Sequence, residues 1–187
     1  MRKILNRILI LVSVATFTSC GSVKQITLEE YTAAGFTYEG PHGIITFIDY
    51  KKGLEYAKQQ NKPVLLYFTG ITVINCRKME EFVWTEGNIL NLLKNDVVLI
   101  SLYVDRRTKL PKQEQYISEI TGKKVQLVGQ KWLELEQTRY QKDSQPLYVI
   151  QDTTGKDLTI AIGYTPNPVE YEKWLKDGID TFKKENN

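Results

Sequence analysis

The chain has 187 residues, of which 25 are basic, 22 acidic and one a histidine, for a formal net charge of +3. That balance is too even for a nucleic-acid protein, which gathers Lys and Arg on one surface, and one His with two Cys is too few for a zinc site. The length suits one domain with a sizeable core, and no metal or cofactor is called for.

Residues 1–19 read as a targeting segment. Arg2, Lys3 and Arg7 form a basic leader, and "ILILVSVATF" (8–17) is an apolar run too short to span a bilayer. The run ends in "FTSC", small residues followed by Cys20, which resembles the lipobox of bacterial lipoproteins. The resemblance implies cleavage before Cys20 and its acylation, leaving a lipid-anchored protein of the bacterial cell envelope that faces the periplasm. An ordinary secretory signal with an incidental Cys20 is the alternative. Losing the leader takes the 25 basic residues to 22, equal to the 22 acidic ones, so the excess charge belonged to targeting. With Cys20 carrying lipid, Cys76 is the only free thiol and no intramolecular disulfide can form.

Residues 20–42 lack clear periodicity and are assigned to a tether and lead-in, with His42 in the turn-like "EGPHG" as a solvated loop residue. The folded domain is expected over 43–187. "GIITFID" (43–49) is a short strand, and "YKKGLEYAKQQN" (50–61) is a helix with Tyr50, Leu54 and Ala57 on one face. "PVLLYFT" (63–69) is a continuous apolar run, as in a strand buried on both faces of a parallel sheet. A helix with Cys76, Met79 and Val83 on one stripe follows, then a helical stretch at 88–95 and a second central strand, "VVLISLYV" (97–104). Residues 105–131 form a long stretch with Arg106, Arg107, Lys109, Lys112, Lys123, Lys124 and Lys131 against Asp105, Glu114 and Glu119. It reads as a solvated excursion, or as a contact surface for an acidic partner. The helix "WLELEQTRY" (132–140) comes next, then a hairpin of "LYVIQD" (147–152) and "DLTIAIG" (157–163). The last helix is announced by Asn167, Pro168 and Glu170 as cap, first-turn proline and third-position acid, with Tyr171, Trp174, Leu175, Ile179 and Phe182 as its core stripe.

This order, with "NKPVLLYFTG" followed by "NCRKMEEFVW" and later "SQPLYVIQDTTGK", resembles the thioredoxin-like C-terminal domain of the thiol:disulfide interchange protein DsbD over roughly residues 43–184. The resemblance implies an α/β thioredoxin-like fold, a central mixed sheet flanked by helices. It also implies an active site built on a C-x-x-C pair at the start of a helix. The attacking position of that pair is Val73 and the resolving position is Cys76. Tyr67 stands where the family carries a buried acid, and Thr72 where a Trp is common. Gln145 and Pro146 occupy the place of the cis-proline loop, whose backbone pairs with an extended substrate chain.

An attacking thiol must be an exposed thiolate at a helix N-terminus, where the backbone lowers its pKa. Valine cannot serve. Two functions follow: a tethered monomeric module that binds an envelope protein or peptide without turnover, or a redox protein acting through Cys76 alone by mixed disulfide. The second needs an exposed Cys76 and the first does not.

Overall fold

The computed structural model describes residues 25–186. The leader and the lipid-attachment position Cys20 lie outside the described residues. Two helices and two strands open the fold: α1 (Leu28–Ala33), β1 (Thr37–Glu39), β2 (Ile45–Phe47) and α2 (Tyr50–Gln60). After them come β3 (Val64–Thr69), α3 (Ile74–Phe82), α4 (Ile89–Asn95) and β4 (Val98–Tyr103). A small ribbon of β5 (Tyr116–Ile117) and β6 (Lys124–Val125) precedes α5 (Val128–Tyr140), β7 (Leu147–Gln151) and α6 (Pro168–Glu185). The main sheet has the order β1-β2-β4-β3-β7. β2 and β3 run parallel to β4, while β1 and β7 are antiparallel to their neighbours.

Alternation along the central strands divides the core into two layers. Leu65, Tyr67, Leu99, Tyr148 and Ile150 face the layer of α3, α4 and α6, where Cys76, Met79, Ile89, Tyr171 and Leu175 pack. Leu66, Phe68, Ile100, Leu102 and Val149 face the opposite layer, with Ala57 of α2 and Trp132 of α5. Every residue of β3 is buried, which is why "VLLYFT" reads as an unbroken apolar run.

Three stretches differ from the sequence reading. Part of the residues assigned to the tether is folded: α1 opens on a capping box between Thr27 and Glu30, and β1 pairs with β2. Tyr31 is only 2% exposed, and its ring meets Phe36, Phe47 and Tyr56 edge-on. A six-residue helix and a three-residue strand are too short to show a period, so they read as linker. Second, α5 begins at Val128, before Trp132, because the side chain of Gln130 turns back to accept from the Gln126 and Leu127 amides at 2.9 and 3.0 Å. Residues 105–127 are correspondingly less solvated than expected, with Leu110, Ser118 and Val125 buried. Third, the return arm of the hairpin touches β7 only through isolated bridges, Tyr148 with Ile162 and Gln151 with Asp157. Between them the Thr159 hydroxyl accepts from the Ile150 amide at 3.1 Å, in place of a backbone carbonyl.

Candidate functional site: the turn after β3 and the Gln145–Pro146 loop

The chain leaves β3 through Gly70, Ile71 and Thr72 and enters α3 with Val73 as N-cap, at φ −80° and ψ 111°. Cys76 and Arg77 donate to the Val73 carbonyl at 3.1 and 3.3 Å, so the first turn closes on this residue. Valine has no side-chain acceptor for the helix amides. Its half-buried side chain packs against the core layer around Cys76. The packing is tight at position 70, where an added Cβ would lie 2.6 Å from Val73 Cγ2 and would push that side chain aside. The turn is also held from outside, because the Ile71 amide donates to Asp105 Oδ2 at 2.7 Å. Asp105 begins the stretch that sequence reading treated as an excursion.

Cys76 is completely buried and free. It lies on the inner stripe of α3 with Met79 and Val83, as the periodicity predicts. Tyr67, 1% exposed, stacks on Tyr148 at 4.8 Å with an 11° interplanar angle and meets Trp84 edge-on at 5.3 Å. It is a core ring. Burial holds its phenol far above the ordinary range, with neighbouring Glu80 and Cys76 acting in the same direction. The phenol therefore stays protonated, and its hydrogen is available to a neighbouring acceptor.

A carboxyl group is nevertheless present in this site. Glu80, 5% exposed, accepts from the Tyr67 hydroxyl at 3.0 Å and pairs with Arg77 Nη2 at 2.8 Å. Burial raises its pKa, and Arg77, the Tyr67 hydrogen bond and His42 pull it back. This acid stands on α3, four residues after Cys76 and so on a neighbouring helical position. That spacing was the available signal. His42 also belongs to this cluster: it is half-buried and its Nε2–H donates to the Glu80 carbonyl at 2.9 Å. The loop-histidine reading is corrected by that bond, which ties the turn before β2 to α3. Arg77 reaches Thr69 Oγ1 at 3.4 Å, and the Tyr38 and Tyr103 hydroxyls bond one another.

The Gln145–Pro146 peptide bond is cis. Phe68 pairs with Leu147 in the sheet, so the chain leaving β3 and the chain entering β7 meet at the same sheet end. Val73 and the Gln145–Pro146 loop are therefore both placed there. Among the described residues the N–H and C=O of Gln145 have no hydrogen-bond partner. Its side chain does, donating to Glu136 Oε2 at 2.7 Å. Glu136 is 0% exposed and its Oε1 is unpartnered. Burial pushes its carboxyl up to about 7, against the Gln145 hydrogen bond, which lowers it. In "WLELEQTRY" this glutamate stands four residues after buried Trp132 and four before Tyr140, a helical spacing that sequence reading did not use.

A family model described as a thioredoxin-like domain matches residues 50–179. The chain belongs to the thioredoxin-like family. Among solved structures it is similar to a DsbH oxidoreductase, with 22% identity over 71% of this chain and 82% of that one and a TM-score of 0.51. It is also similar to a thioredoxin from Thermus thermophilus, at 20% identity over 68% and 81% of the two chains with a TM-score of 0.47. A disulphide isomerase from Xylella fastidiosa Temecula1 matches at 20% identity over 73% and 88%, with a TM-score of 0.39. No curated protein matches the chain. The mixed sheet flanked by helices is thus a thioredoxin-like fold. Within it, Val73 caps the start of α3, Cys76 is buried and the Gln145–Pro146 bond is cis.

Proposed function

We propose that the protein is a lipid-anchored thioredoxin-like module of the bacterial envelope, akin to the C-terminal domain of DsbD, that binds an extended protein segment without dithiol turnover. The observation that carries this reading is the pairing of Val73 at the N-cap of α3 with a Cys76 that has no exposed surface. Thiol–disulfide exchange begins with in-line attack by an accessible thiolate, and neither position offers one. The free N–H and C=O of Gln145 support the binding part, since an extended chain can add to them by strand pairing without any sulfur. Ile71 and Ile74, 61% and 70% exposed beside Val73, supply apolar surface at the same end. A monothiol mechanism through Cys76 needs α3 to open, and its burial weighs against that.

The anchor at Cys20 rests on the leader's composition. Among the described residues no helix is long and apolar enough to cross a membrane. The test is capture from native envelopes by the wild type and by Cys20→Ser and Cys76→Ser variants, with and without reductant. The reading expects membrane attachment to be lost only in Cys20→Ser. It expects the captured partner to be unaffected by reductant and by Cys76→Ser. A partner released by reductant and missing from Cys76→Ser would replace it with the monothiol mechanism.

A further inference from the structure

A second concave site lies in the layer of α2 and α5, on the other face of the sheet from Cys76. It is a cleft of about 390 Å³ at the carboxyl ends of β2 and β4, between the start of α2 and the start of α5, roofed by residues 106–114. That size falls within the roughly 300–1,000 Å³ usual for small-molecule sites. The carboxyl end of parallel strands is where open α/β sheets hold ligands.

The cleft is built rather than accidental. The Gly129 amide donates to the Arg106 carbonyl at 3.0 Å and the Val128 amide to the Thr108 carbonyl at 2.9 Å, which seats α5 against the roof. An added Cβ at Gly129 would lie 2.5 Å from the Val104 carbonyl oxygen, so only glycine allows this approach. Trp132, 8% exposed, forms an apolar floor with Phe36 and Val128, and Leu110, 6% exposed, adds apolar surface from the roof.

The charge on the rim is unbalanced. Lys51, Arg106, Lys109 and Lys131 line the cleft against Asp49 and Glu114. Both acids are engaged: Asp49 caps α2 through the Lys52 amide at 2.9 Å, and Glu114 pairs with Lys131 at 3.0 Å. Lys51, Arg106 and Lys109 have no carboxylate partner among the described residues. Arg106 is half-buried, and its guanidinium makes one hydrogen bond, from Nε to Thr108 Oγ1 at 3.1 Å. Its two terminal nitrogens are left with the fork geometry that receives a carboxylate bidentately.

We propose that this cleft is a binding site for a small amphipathic carboxylate, its carboxyl group on Arg106 with Lys51 and Lys109 around it, and its apolar body on Leu110, Val128 and Trp132. The occupant is set by charge complementarity: three unpaired cations over an apolar floor match one anionic head on an apolar body. A fully polar anion would leave the floor uncovered, and a neutral apolar molecule would leave the guanidinium unpaired.

The test is a titration of the purified full chain with 3-phenylpropionate and with its neutral analogue 3-phenylpropionamide, followed by the backbone amide shifts of Leu110, Val128 and Trp132. The carboxylate should give saturable shifts at these amides, with Kd on the order of 1 mM or tighter. The amide should bind at least about tenfold more weakly, and Arg106→Gln should weaken the carboxylate by a similar factor. The backbone bonds of Arg106 do not involve its side chain, so the variant's amide spectrum should stay dispersed. Lys109→Gln, at an exposed position, gives a second reading with a smaller loss. Absence of saturable shifts at the cleft overturns the proposal, as does equal binding of the amide or affinity unchanged in both variants.

Discussion

Val73 and Cys76 are one helical turn apart, and neither offers an exposed sulfur, for different reasons. Val73 keeps the position at which a thiolate would be activated and lacks the sulfur. Cys76 keeps the sulfur and has no exposure. Close to them Glu80 on α3 accepts from the buried Tyr67 hydroxyl. The other buried carboxyl, Glu136, bears on the Gln145 side chain and titrates near neutrality because burial disfavours its charge. Its folded-state pKa, about 7, lies above the unfolded value of 4.5. The folded state therefore binds the extra proton between these values, and stability falls as pH rises through that window. Glu136→Gln removes this dependence. Unfolding free energies from urea titration should match the wild type below pH 4.5 and exceed it by on the order of 1–3 kcal/mol at pH 8. A gap that stays constant across the range would mean that Glu136 is not the titrating group.

At the scale of elements, the turn from β3 into α3 is predicted to have kept the geometry of a dithiol site. The Cys76 amide bonded to the Val73 carbonyl at 3.1 Å holds the two residues within one turn. Disulfides need Cα atoms within about 7 Å. Val73→Cys should therefore form a bond between the introduced thiol and Cys76 under mild oxidant, read as protection from alkylation by mass spectrometry. Two free thiols after oxidation would mean a remodelled turn. The junction of β4 with α5 is equally constrained. At Gly129 an added Cβ meets backbone atoms, Val104 O at 2.5 Å and Arg106 N at 2.6 Å, which cannot rotate away. Gly129→Ala should cost about 1–3 kcal/mol in urea denaturation, the range of overpacking in a close contact. An unchanged midpoint would show that α5 is free to shift.

Over the whole molecule, what could be read from sequence followed the length of the signal. β3 and β4 announced themselves as apolar runs, and α2, α3 and α6 as stripes of period 3.6, because each buries a continuous face. The motif order pointed to the thioredoxin-like fold itself, which the family match over residues 50–179 bears out. α1 and β1 were illegible because Tyr31 is held by the rings of Phe36, Phe47 and Tyr56, a contact that no local pattern encodes. Glu80, Glu136 and Asp105 were missed for a related reason: each is defined by a partner from another element, Tyr67, Gln145 and the Ile71 amide. A fold that keeps its frame and its open Gln145 backbone while losing an accessible thiol should bind without reducing. Catalytic reduction of insulin, followed as turbidity with dithiothreitol as electron source, tests this most directly. The wild type should run at the rate of the protein-free control, and Cys76→Ser should not differ from it. Multiple turnovers by the wild type that vanish in Cys76→Ser would contradict that prediction and make this buried thiol the reactive group.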